Sequence, residues 1–345
     1  AWPRSAPGTS CADLPDEACT MLELNAPDTD AHLSHAALLR ALDRMLALRT
    51  AGLVHCPTRG VLPMAAGGRL LSMLASDGTH ALVKTVTVHP ENARFALPRV
   101  QAEAVVLRAD NGARVAILDG DVLTLRRTAA LSVLAVDKLC ALPPRRLLII
   151  GAGVQARAHL DAFVAQGEVS HVGIYARNAA AAVRLVEAVS PLARARRLTV
   201  AAVDDLASAL PGADVVVTAT NSIDPVLSND QADTVSDGTV VCAVGAFTAQ
   251  MSELPPSLVR RSAVVVDALE ACRSEAGDLI KADVDWHDVH ELGFDRPALA
   301  DVSRPIIFKS VGCALWDLAA ANCALDAADF HSQPRSISHD DHPEI

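Results

Sequence analysis

The sequence has few aromatic side chains, no excess of basic charge and no long apolar run. Phe, Trp and Tyr make up only 3% of its 345 residues, so Val, Leu, Ile and Ala must pack any core. The formal net charge of -11 disfavours a nucleic-acid partner, because such a surface repels phosphates. No apolar stretch approaches the roughly 20 residues that a membrane-spanning helix needs. We therefore expect neither nucleic-acid binding nor membrane insertion.

The eight cysteines lack the spacing of a metal site or a disulfide framework. None belongs to a CxxC pair, and Cys242 lies within an apolar run. Scattered thiols of this kind are typical of free cysteines in a reducing compartment. The N-terminus also lacks the basic-then-apolar pattern of a secretory signal. We expect a cytoplasmic protein without a bound metal, with loose segments at 1–20 and 328–345.

Two hydrophobic patterns divide the chain into two domains. Over residues 140–303, near-continuous apolar strands alternate with helices, which indicates a parallel sheet covered on both faces. Residues 21–139, joined by 304–327, form a second, mixed α/β domain. The predicted fold is therefore α/β, with a Rossmann-type doubly wound parallel sheet plus this second domain. The main predicted elements are helices over 33–49, 122–141, 154–166, 179–190 and 311–325, strands over 69–75 and 81–88, and a hairpin that turns at Asp110-Asn111-Gly112.

A glycine-rich turn follows the first strand of the parallel sheet. The segment Gly151-Ala152-Gly153-Val154-Gln155-Ala156 reads GxGxxA directly after Leu147-Leu148-Ile149-Ile150 and opens a helix. The first glycine permits a tight turn, and the second lets the backbone approach a pyrophosphate at the helix N-terminus. A second strand follows where a βαβ unit requires one. The pattern predicts a nicotinamide dinucleotide site, against the alternative of a plain glycine turn.

The end of the second strand indicates which cofactor is bound. NAD-specific sites carry an Asp or Glu there to hold the ribose 2′-hydroxyl. This chain has Ala176-Arg177-Asn178 instead, and an arginine can pair with a 2′-phosphate. NADPH is therefore the expected cofactor. The alternative is a solvent-exposed Arg177 and a relaxed site that also accepts NADH.

Two further groups of residues are candidates for the site. Thr218, Ala219 and Thr220 end a strand at the carboxyl edge, where ligands bind in such sheets, although a plain turn fits equally well. Lys84 shares the apolar face of a strand, where a lysine must reach solvent or find an anion. Arg127 lies early in a mostly apolar helix. For both cations an ordinary surface position is the alternative.

These residues carry a family resemblance over about 21–325. The chain resembles the ornithine cyclodeaminase/mu-crystallin family and, within it, the bacterial Δ1-pyrroline-2-carboxylate reductase branch. The motifs are Lys84-Thr85-Val86-Thr87-Val88-His89-Pro90-Glu91-Asn92, Arg127-Thr128-Ala129-Ala130, Gly151-Ala152-Gly153-Val154-Gln155, Val244-Gly245-Ala246 and Phe308-Lys309-Ser310-Val311-Gly312, with 270–279 and 308–316 matching the branch.

The resemblance implies a homodimer formed through the non-Rossmann domain, and a substrate carboxylate held by Lys84, Arg127 and Arg59. It also places Ser310 at the substrate. The residues that it places at the cofactor, beyond the glycine-rich turn, are Val244, Gly245, Ala246 and Gly312.

One position departs from the cyclodeaminases, which carry an aspartate where this chain has Phe247. The departure disfavours ornithine deamination and leaves reduction of a cyclic imine acid, with Phe247 lining the substrate site. Lys84 and Arg127 would orient the imine carbon toward the nicotinamide, while no proton donor is identified. The alternatives are a lyase that uses Glu103 or Asp278 instead, a crystallin-like binding protein, and another amino-acid dehydrogenase of the family.

Overall fold

The computed structural model describes residues 21–293 and 303–329. The loose segment predicted at 1–20, and the part of the predicted tail beyond residue 329, lie outside the described residues. Across the described ranges, no helix is long and apolar enough to cross a membrane.

The first part of the chain forms a mixed sheet and the helices packed on it. Its elements are β1 (Leu22–Leu24), α1 (Ala26–Ala31), α2 (His35–Thr50), β2 (Gly60–Pro63), β3 (Arg69–Ser76), β4 (His80–Val88), β5 (Val100–Arg108), β6 (Arg114–Asp119) and α3 (Gly120–Leu139). Within the described residues this sheet has six strands in the order β1-β6-β5-β4-β3-β2. All its neighbours are antiparallel except the parallel pair β1 and β6.

The rest of the chain forms a parallel sheet and its covering helices. Its elements are β7 (Arg146–Ile150), α4 (Val154–Gln166), β8 (His171–Tyr175), α5 (Ala179–Arg196), β9 (Thr199–Ala202), α6 (Leu206–Ala209), β10 (Val215–Thr218), α7 (Asn229–Asp233), β11 (Val240–Ala243), α8 (Pro256–Arg261), β12 (Ala263–Val266), α9 (Leu269–Glu275), α10 (Gly277–Ala282), β13 (Val289–Glu291), β14 (Ile306–Lys309) and α11 (Ala314–Ala327).

In the described residues this second sheet has eight strands, in the order β13-β12-β14-β11-β10-β7-β8-β9, and every pair is parallel. The strand order reverses between β7 and β10, the position where a doubly wound sheet opens a crevice for a ligand. Alternate residues enter different cores: Leu147 and Ile149 join one hydrophobic cluster, and Leu148 and Ile150 the other. Both faces are therefore covered, and the predicted α/β fold is confirmed.

Several element bounds differ from the prediction by a few residues, and the differences at α5 and at the hairpin have a local cause. The helix predicted over 179–190 continues as α5 to Arg196, with Pro191 inside it. The connection between β5 and β6 spans residues 109–113, one residue more on each side than the predicted turn at Asp110-Asn111-Gly112. Gly112 there adopts a φ of +73°, and the Asn111 side chain accepts the amide of Ala113 at 2.9 Å.

One strand lies in a different sheet from the one expected. Residues 304–327 were grouped with the second domain, but β14 pairs with β11 and β12 inside the eight-stranded sheet. Its four residues are all buried, as a central parallel strand requires. Only α11 returns to the mixed sheet, where it packs on α2, α3, β3 and β4. The crossing from β14 to α11 therefore joins the two sheets at the carboxyl edge of the parallel one.

Candidate active site

The glycine-rich turn lies between β7 and α4 in the geometry that a dinucleotide requires. Gly151 has a φ of +131°, and a Cβ there would lie 2.5 Å from the carbonyl oxygen of Ala219. A Cβ on Gly153 would meet nothing within 4 Å, so the backbone is open on its outer side. Gly153 caps α4 without a side chain, and Val154 is 75% exposed. The first amides of α4 therefore face open space, where a phosphate can approach.

Glu253 joins the ends of β10 and β11, a role that no sequence pattern predicted. The hydroxyls of Thr218 and Thr220 donate to its carboxylate at 3.0 and 2.8 Å. The amides of Thr220 and Gly245 also donate to it, each at 2.7 Å, and that of Ala246 at 3.2 Å. Burial raises the pKa of Glu253, although Lys309 opposes that shift. This one carboxylate therefore holds Thr218, Ala219 and Thr220 against Val244, Gly245 and Ala246.

The end of β8 presents its basic residue to solvent. Arg177 is exposed, and among the described residues its guanidinium has no hydrogen-bond or ion-pair partner. Asn178 caps α5 by accepting the amide of Ala180 at 3.1 Å, and Ala176 is half-buried. The guanidinium is thus free to meet an anion at the edge of the dinucleotide crevice.

Lys84 and Arg127 share one buried carboxylate, Asp317 of α11. Lys84 Nζ lies 2.9 Å and Arg127 Nε 3.0 Å from the same oxygen, Asp317 Oδ1. Lys84 is 1% exposed, Arg127 5% and Asp317 0%, which rules out the surface alternative for both cations. Lys84 also donates to the Thr124 hydroxyl. The terminal nitrogens of Arg127 have no hydrogen-bond acceptor within the described part of the chain, so they remain available to a ligand.

The electrostatics of this cluster follow from its burial. Burial lowers the pKa of Lys84, the positive charge of Arg127 acts in the same direction, and Asp317 opposes both. Burial alone would raise the pKa of Asp317, but Arg127 and Lys84 hold it below its usual value. Two cations and one carboxylate leave a net charge of one positive unit. An anion bound beside them would neutralise it.

Arg59 and Gly312 lie next to Arg127. Arg59 Nη2 donates to the carbonyls of Val311 at 3.1 Å and Gly312 at 2.5 Å, and it pairs with Glu275 at 3.0 Å. Gly312 has a φ of +78°, and a Cβ there would lie 2.7 Å from Arg127 Nη2. The structure therefore brings Arg59, Lys84 and Arg127 together around the turn between β14 and α11.

Asp267, which follows β12, holds this turn in place. It accepts the amide of Gly312 at 2.8 Å and the hydroxyl of Ser310 at 2.7 Å. Ser310 is thus joined to Asp267 rather than to the cations. Its oxygen retains only acceptor capacity, which does not suit contact with a carboxylate.

Phe247 and the acids considered in its place differ in environment. Phe247 follows the Gly245-Ala246 segment and is 40% exposed. Asp278 is fully buried and pairs with Lys309 at 2.8 Å, and its other oxygen accepts the amides of Glu253 and Leu254. Both oxygens of Asp278 are thus already engaged by groups of this chain. Glu103 is exposed on β5, where it lies opposite Asp119 of β6.

Three buried acids were missed as parts of the site, although two of them left a signal in the sequence. Asp317 is the sole charged residue in the run 310–325, and Asp267 directly follows the buried strand Ala263–Val266. A carboxylate within an apolar run requires a partner, and so both could have been identified as buried charges, although not matched to their partners. Glu253 lies in an irregular segment without such a pattern.

The residues fit a bound nicotinamide dinucleotide. The open amides of α4 suit the pyrophosphate, and the wall formed by Thr218–Thr220 and Val244–Ala246 faces the same crevice. Gln155, on the first turn of α4, has a buried Oε1 without a hydrogen-bond partner in the described structure. A polar ligand group would satisfy that oxygen.

Comparison with known proteins agrees with this geometry. The sequence model of the ornithine cyclodeaminase/mu-crystallin family matches residues 20–330. The Δ1-pyrroline-2-carboxylate/Δ1-piperideine-2-carboxylate reductase of Azospirillum brasilense is 39% identical over 303 residues, which cover 88% of this chain and 94% of that protein.

Two solved structures share the fold. The Δ1-pyrroline-2-carboxylate reductase of Thermococcus litoralis, in complex with NADH and L-proline, superposes with a TM-score of 0.80 at 27% identity, over 90% of this chain and 98% of that one. An archaeal alanine dehydrogenase dimer with bound NAD gives 0.81 at 25% identity, over 90% and 96%. The chain belongs to the ornithine cyclodeaminase/mu-crystallin family.

Proposed function

We propose that this protein is an NAD(P)H-dependent reductase of cyclic ketimine acids. It would convert Δ1-pyrroline-2-carboxylate to proline and Δ1-piperideine-2-carboxylate to pipecolate. The observation that carries the proposal is the buried trio of Lys84, Arg127 and Asp317 with its single surplus positive charge. A substrate with one carboxylate neutralises that surplus.

The substrate carboxylate binds the free terminal nitrogens of Arg127, a geometry that allows two parallel hydrogen bonds. Lys84 and Arg59 lie beside that position. We call Arg127, Lys84 and Arg59 together the carboxylate clamp. Asp317 fixes both Lys84 and Arg127 from the buried side, so the clamp is organised before the substrate arrives. Because burial lowers the pKa of Lys84, its ammonium is a stronger acid than a solvated lysine and suits keeping the ring nitrogen protonated.

Residues at the carboxyl edge of the parallel sheet would hold the cofactor. The glycine-rich turn Gly151–Gln155 holds its phosphates, and Thr218–Thr220, Val244–Ala246 and Gly312 line the path toward the clamp. When bound, the reduced nicotinamide supplies the hydride that reduces the imine carbon. Ala176, Arg177 and Asn178 would contact the adenosine ribose, and the free guanidinium of Arg177 favours NADPH over NADH.

Phe247 borders the substrate in this proposal, whereas Ser310 contributes through its hydrogen bond to Asp267, which holds the neighbouring turn. Phe247 offers no carboxylate for the proton transfers of deamination, and its ring shields the apolar carbons of the substrate from water. Asp278 is not a substitute base, because Lys309 and two backbone amides already occupy its oxygens. These features favour reduction over the lyase reaction.

The working assembly is a homodimer formed through the mixed sheet. The outward face of that sheet and its flanking loops expose large apolar side chains, a composition typical of an interface. These side chains include Leu62 (59% exposed), Leu74 (44%), Phe95 (71%) and Leu97 (49%). The archaeal alanine dehydrogenase of the same fold is described as a dimer.

The six free cysteines of the described residues fit a reducing compartment, the cytoplasm.

The test is an NADPH-oxidation assay with the two cyclic imines, beside an ammonia assay with ornithine and NAD. We expect the imines to be reduced to proline and pipecolate, and no ammonia above background. Steady ammonia release without imine reduction would falsify the reductase proposal.

Variants of the clamp test where the substrate binds. Lys84→Ala and Arg127→Ala should abolish most turnover, while fluorescence titration with NADPH stays near normal. Arg126→Ala is the matched control, because Arg126 is on the same helix but donates to the Leu33 carbonyl at 2.6 Å. Wild-type efficiency in both clamp variants would place the substrate elsewhere.

A further inference from the structure

A cavity of about 230 Å³ lies beside the clamp and contains two thiols. Its lining includes Arg59, Gly312, Cys56 and Cys313. Both cysteines are half-buried and free. Cys56 precedes Arg59 by three residues, and Cys313 directly follows Gly312. The imine-reduction mechanism uses neither thiol.

Both thiols line this cavity at the N-terminus of α11, where Cys313 is the N-cap residue. The Cys313 thiol and the amides of Leu315 and Ala314 surround the Cys56 sulfur as donors to its thiolate. These donors lower the pKa of Cys56 to about 7, against the effect of burial. The Cys56 sulfur in turn raises the pKa of Cys313, and burial adds to that shift. The pair thus combines a thiolate with a neighbouring thiol, the arrangement of a reactive cysteine and its resolving partner.

We propose that Cys56 and Cys313 are a redox modification site, at which hydrogen peroxide forms a disulfide that slows the enzyme. The Cys56 thiolate attacks one peroxide oxygen and hydroxide leaves, which gives a sulfenic acid. The Cys313 sulfur then attacks the Cys56 sulfur, its proton leaves, and the sulfenic oxygen departs as water. Two electrons pass from the sulfurs to the peroxide, and a reducing dithiol returns them.

The disulfide affects the clamp because the bonded segments are its neighbours. The bond holds the two sulfurs at covalent distance and so ties the segment of Cys56 to the start of α11 with fixed geometry. One segment carries Arg59, and the other carries Gly312, which packs on the Arg127 guanidinium. Misplacing a positioning group by about 1 Å can lower the rate roughly 100-fold. Because the constraint here acts through neighbouring residues, we expect a smaller loss of kcat/KM, of about tenfold or more.

Cys140 provides a matched contrast. It is also half-buried, but burial raises its pKa to about 12, with Asp214 and Asp137 acting in the same direction. Because the thiolate is the reacting species, Cys140 should resist peroxide under conditions that oxidise Cys56.

The experiment treats the purified protein with hydrogen peroxide and follows two readouts, peptide mapping by mass spectrometry and kcat/KM for the cyclic imine. We expect a Cys56–Cys313 cross-linked peptide, a matching loss of kcat/KM, and recovery of both with dithiothreitol. Cys56→Ser and Cys313→Ser should keep basal activity and resist inactivation, whereas Cys140→Ser should be as sensitive as the parent.

Absence of the cross-linked peptide overturns the proposal, as does a disulfide that leaves kcat/KM unchanged. Equal peroxide sensitivity in Cys56→Ser also overturns it. The activity readout rests on the proposed function, but the peptide map does not. A protein that reduces no imine before treatment therefore defeats the proposed function alone, and the map still decides whether the thiols form the bond.

Discussion

Arg177, whose guanidinium is free, is the residue on which we expect the choice between NADPH and NADH to depend. Arg177→Asp should weaken NADPH binding far more than NADH binding, because the new carboxylate repels a 2′-phosphate and suits a 2′-hydroxyl. A charged hydrogen bond contributes roughly 1.5–3 kcal/mol, and exposure of Arg177 favours the lower end. The measurement is fluorescence titration with both cofactors.

Arg184→Asp is the control for that variant, because Arg184 is an exposed arginine on α5, about two helix turns beyond Arg177. It should leave the ratio of the two dissociation constants unchanged. An equal loss for NADPH and NADH in Arg177→Asp would contradict the assignment of Arg177.

Asp317 is the residue that holds the clamp together. Asp317→Asn keeps the shape of the side chain but leaves two buried cations without their counter-charge. Removing one member of a buried ion pair typically costs about 3–5 kcal/mol, so we expect a loss of that order in the free energy of unfolding. Turnover should fall as well, because Lys84 loses the group that keeps it protonated.

A second substitution separates the charge effect from simple misfolding. In Asp317→Asn/Lys84→Met, removal of one cation should recover part of the stability, measured by denaturant unfolding, without restoring turnover. If Asp317→Asn retained the stability and activity of the parent, the shared carboxylate would have no organising role.

Sequence patterns identified Lys84 but not its partner, for a physical reason. Strand alternation placed Lys84 on the apolar face with Leu82 and Val86, and all three are buried. Asp317 lies 233 residues away in sequence, and the contact exists only because α11 packs across β4. A local pattern indicates that a buried charge needs a partner, but chain topology decides which residue it is.

At the scale of elements, hydrophobic periodicity predicted the βαβ unit well. The end of α5 and the position of β14 depend on tertiary packing, which periodicity does not reveal. The helix predicted over 154–166 is α4, with the same bounds. Pro191 did not end α5, because Val189 and Ala193 continue its buried face on both sides of the proline. The prediction groups residues 304–327 with the second domain, whereas β14 lies in the parallel sheet, since sequence order does not reveal that the last strand inserts between β11 and β12.

The packing of α4 on α3 contains a buried histidine that should make stability depend on pH. His159 of α4 is fully buried, with Nε2 3.0 Å from the Ser132 hydroxyl and Nδ1 2.8 Å from the Gln155 carbonyl. Burial lowers its pKa from 6.5 to about 4, although the hydrogen bond to Gln155 opposes the shift.

The sign of the dependence follows from the lowered pKa. Between about pH 6.5 and pH 4, His159 is protonated in the unfolded chain but remains neutral in the folded chain. Stability is therefore complete above pH 6.5 and falls as the pH falls through this window, by on the order of 3 kcal/mol. Urea unfolding at several pH values measures it.

His159→Gln should be less stable at neutral pH but should lose less stability on acidification than the parent. His171→Gln is the control, because His171 is an exposed histidine at the start of β8 and should leave the slope unchanged. A His159→Gln protein with the parent's pH dependence would show that another group governs acid unfolding.

At the scale of the whole molecule, the site exists because two sheets meet. The parallel sheet supplies the dinucleotide turn and, through Asp267, the position of Gly312. The mixed sheet supplies Lys84, and the helices between the sheets supply Arg127 and Asp317. The family motifs lie on both sides of this junction, which explains why the resemblance spans nearly the whole chain rather than the nucleotide domain alone.

The outward face of the mixed sheet should set the oligomeric state. Side chains alternate along β4, so Lys84 points inward while Val83 points outward, opposite Leu74 of β3. Leu74 is 44% exposed at the middle of this face, and a charge buried there in an interface would remain without a partner. Leu74→Glu should therefore convert a dimeric protein to a monomer of half the mass in sedimentation-velocity experiments. Val183→Glu is the control, because Val183 is equally exposed, at 45%, but lies on α5. A monomeric parent, or a Leu74→Glu variant that remains dimeric, would contradict dimerisation through this face.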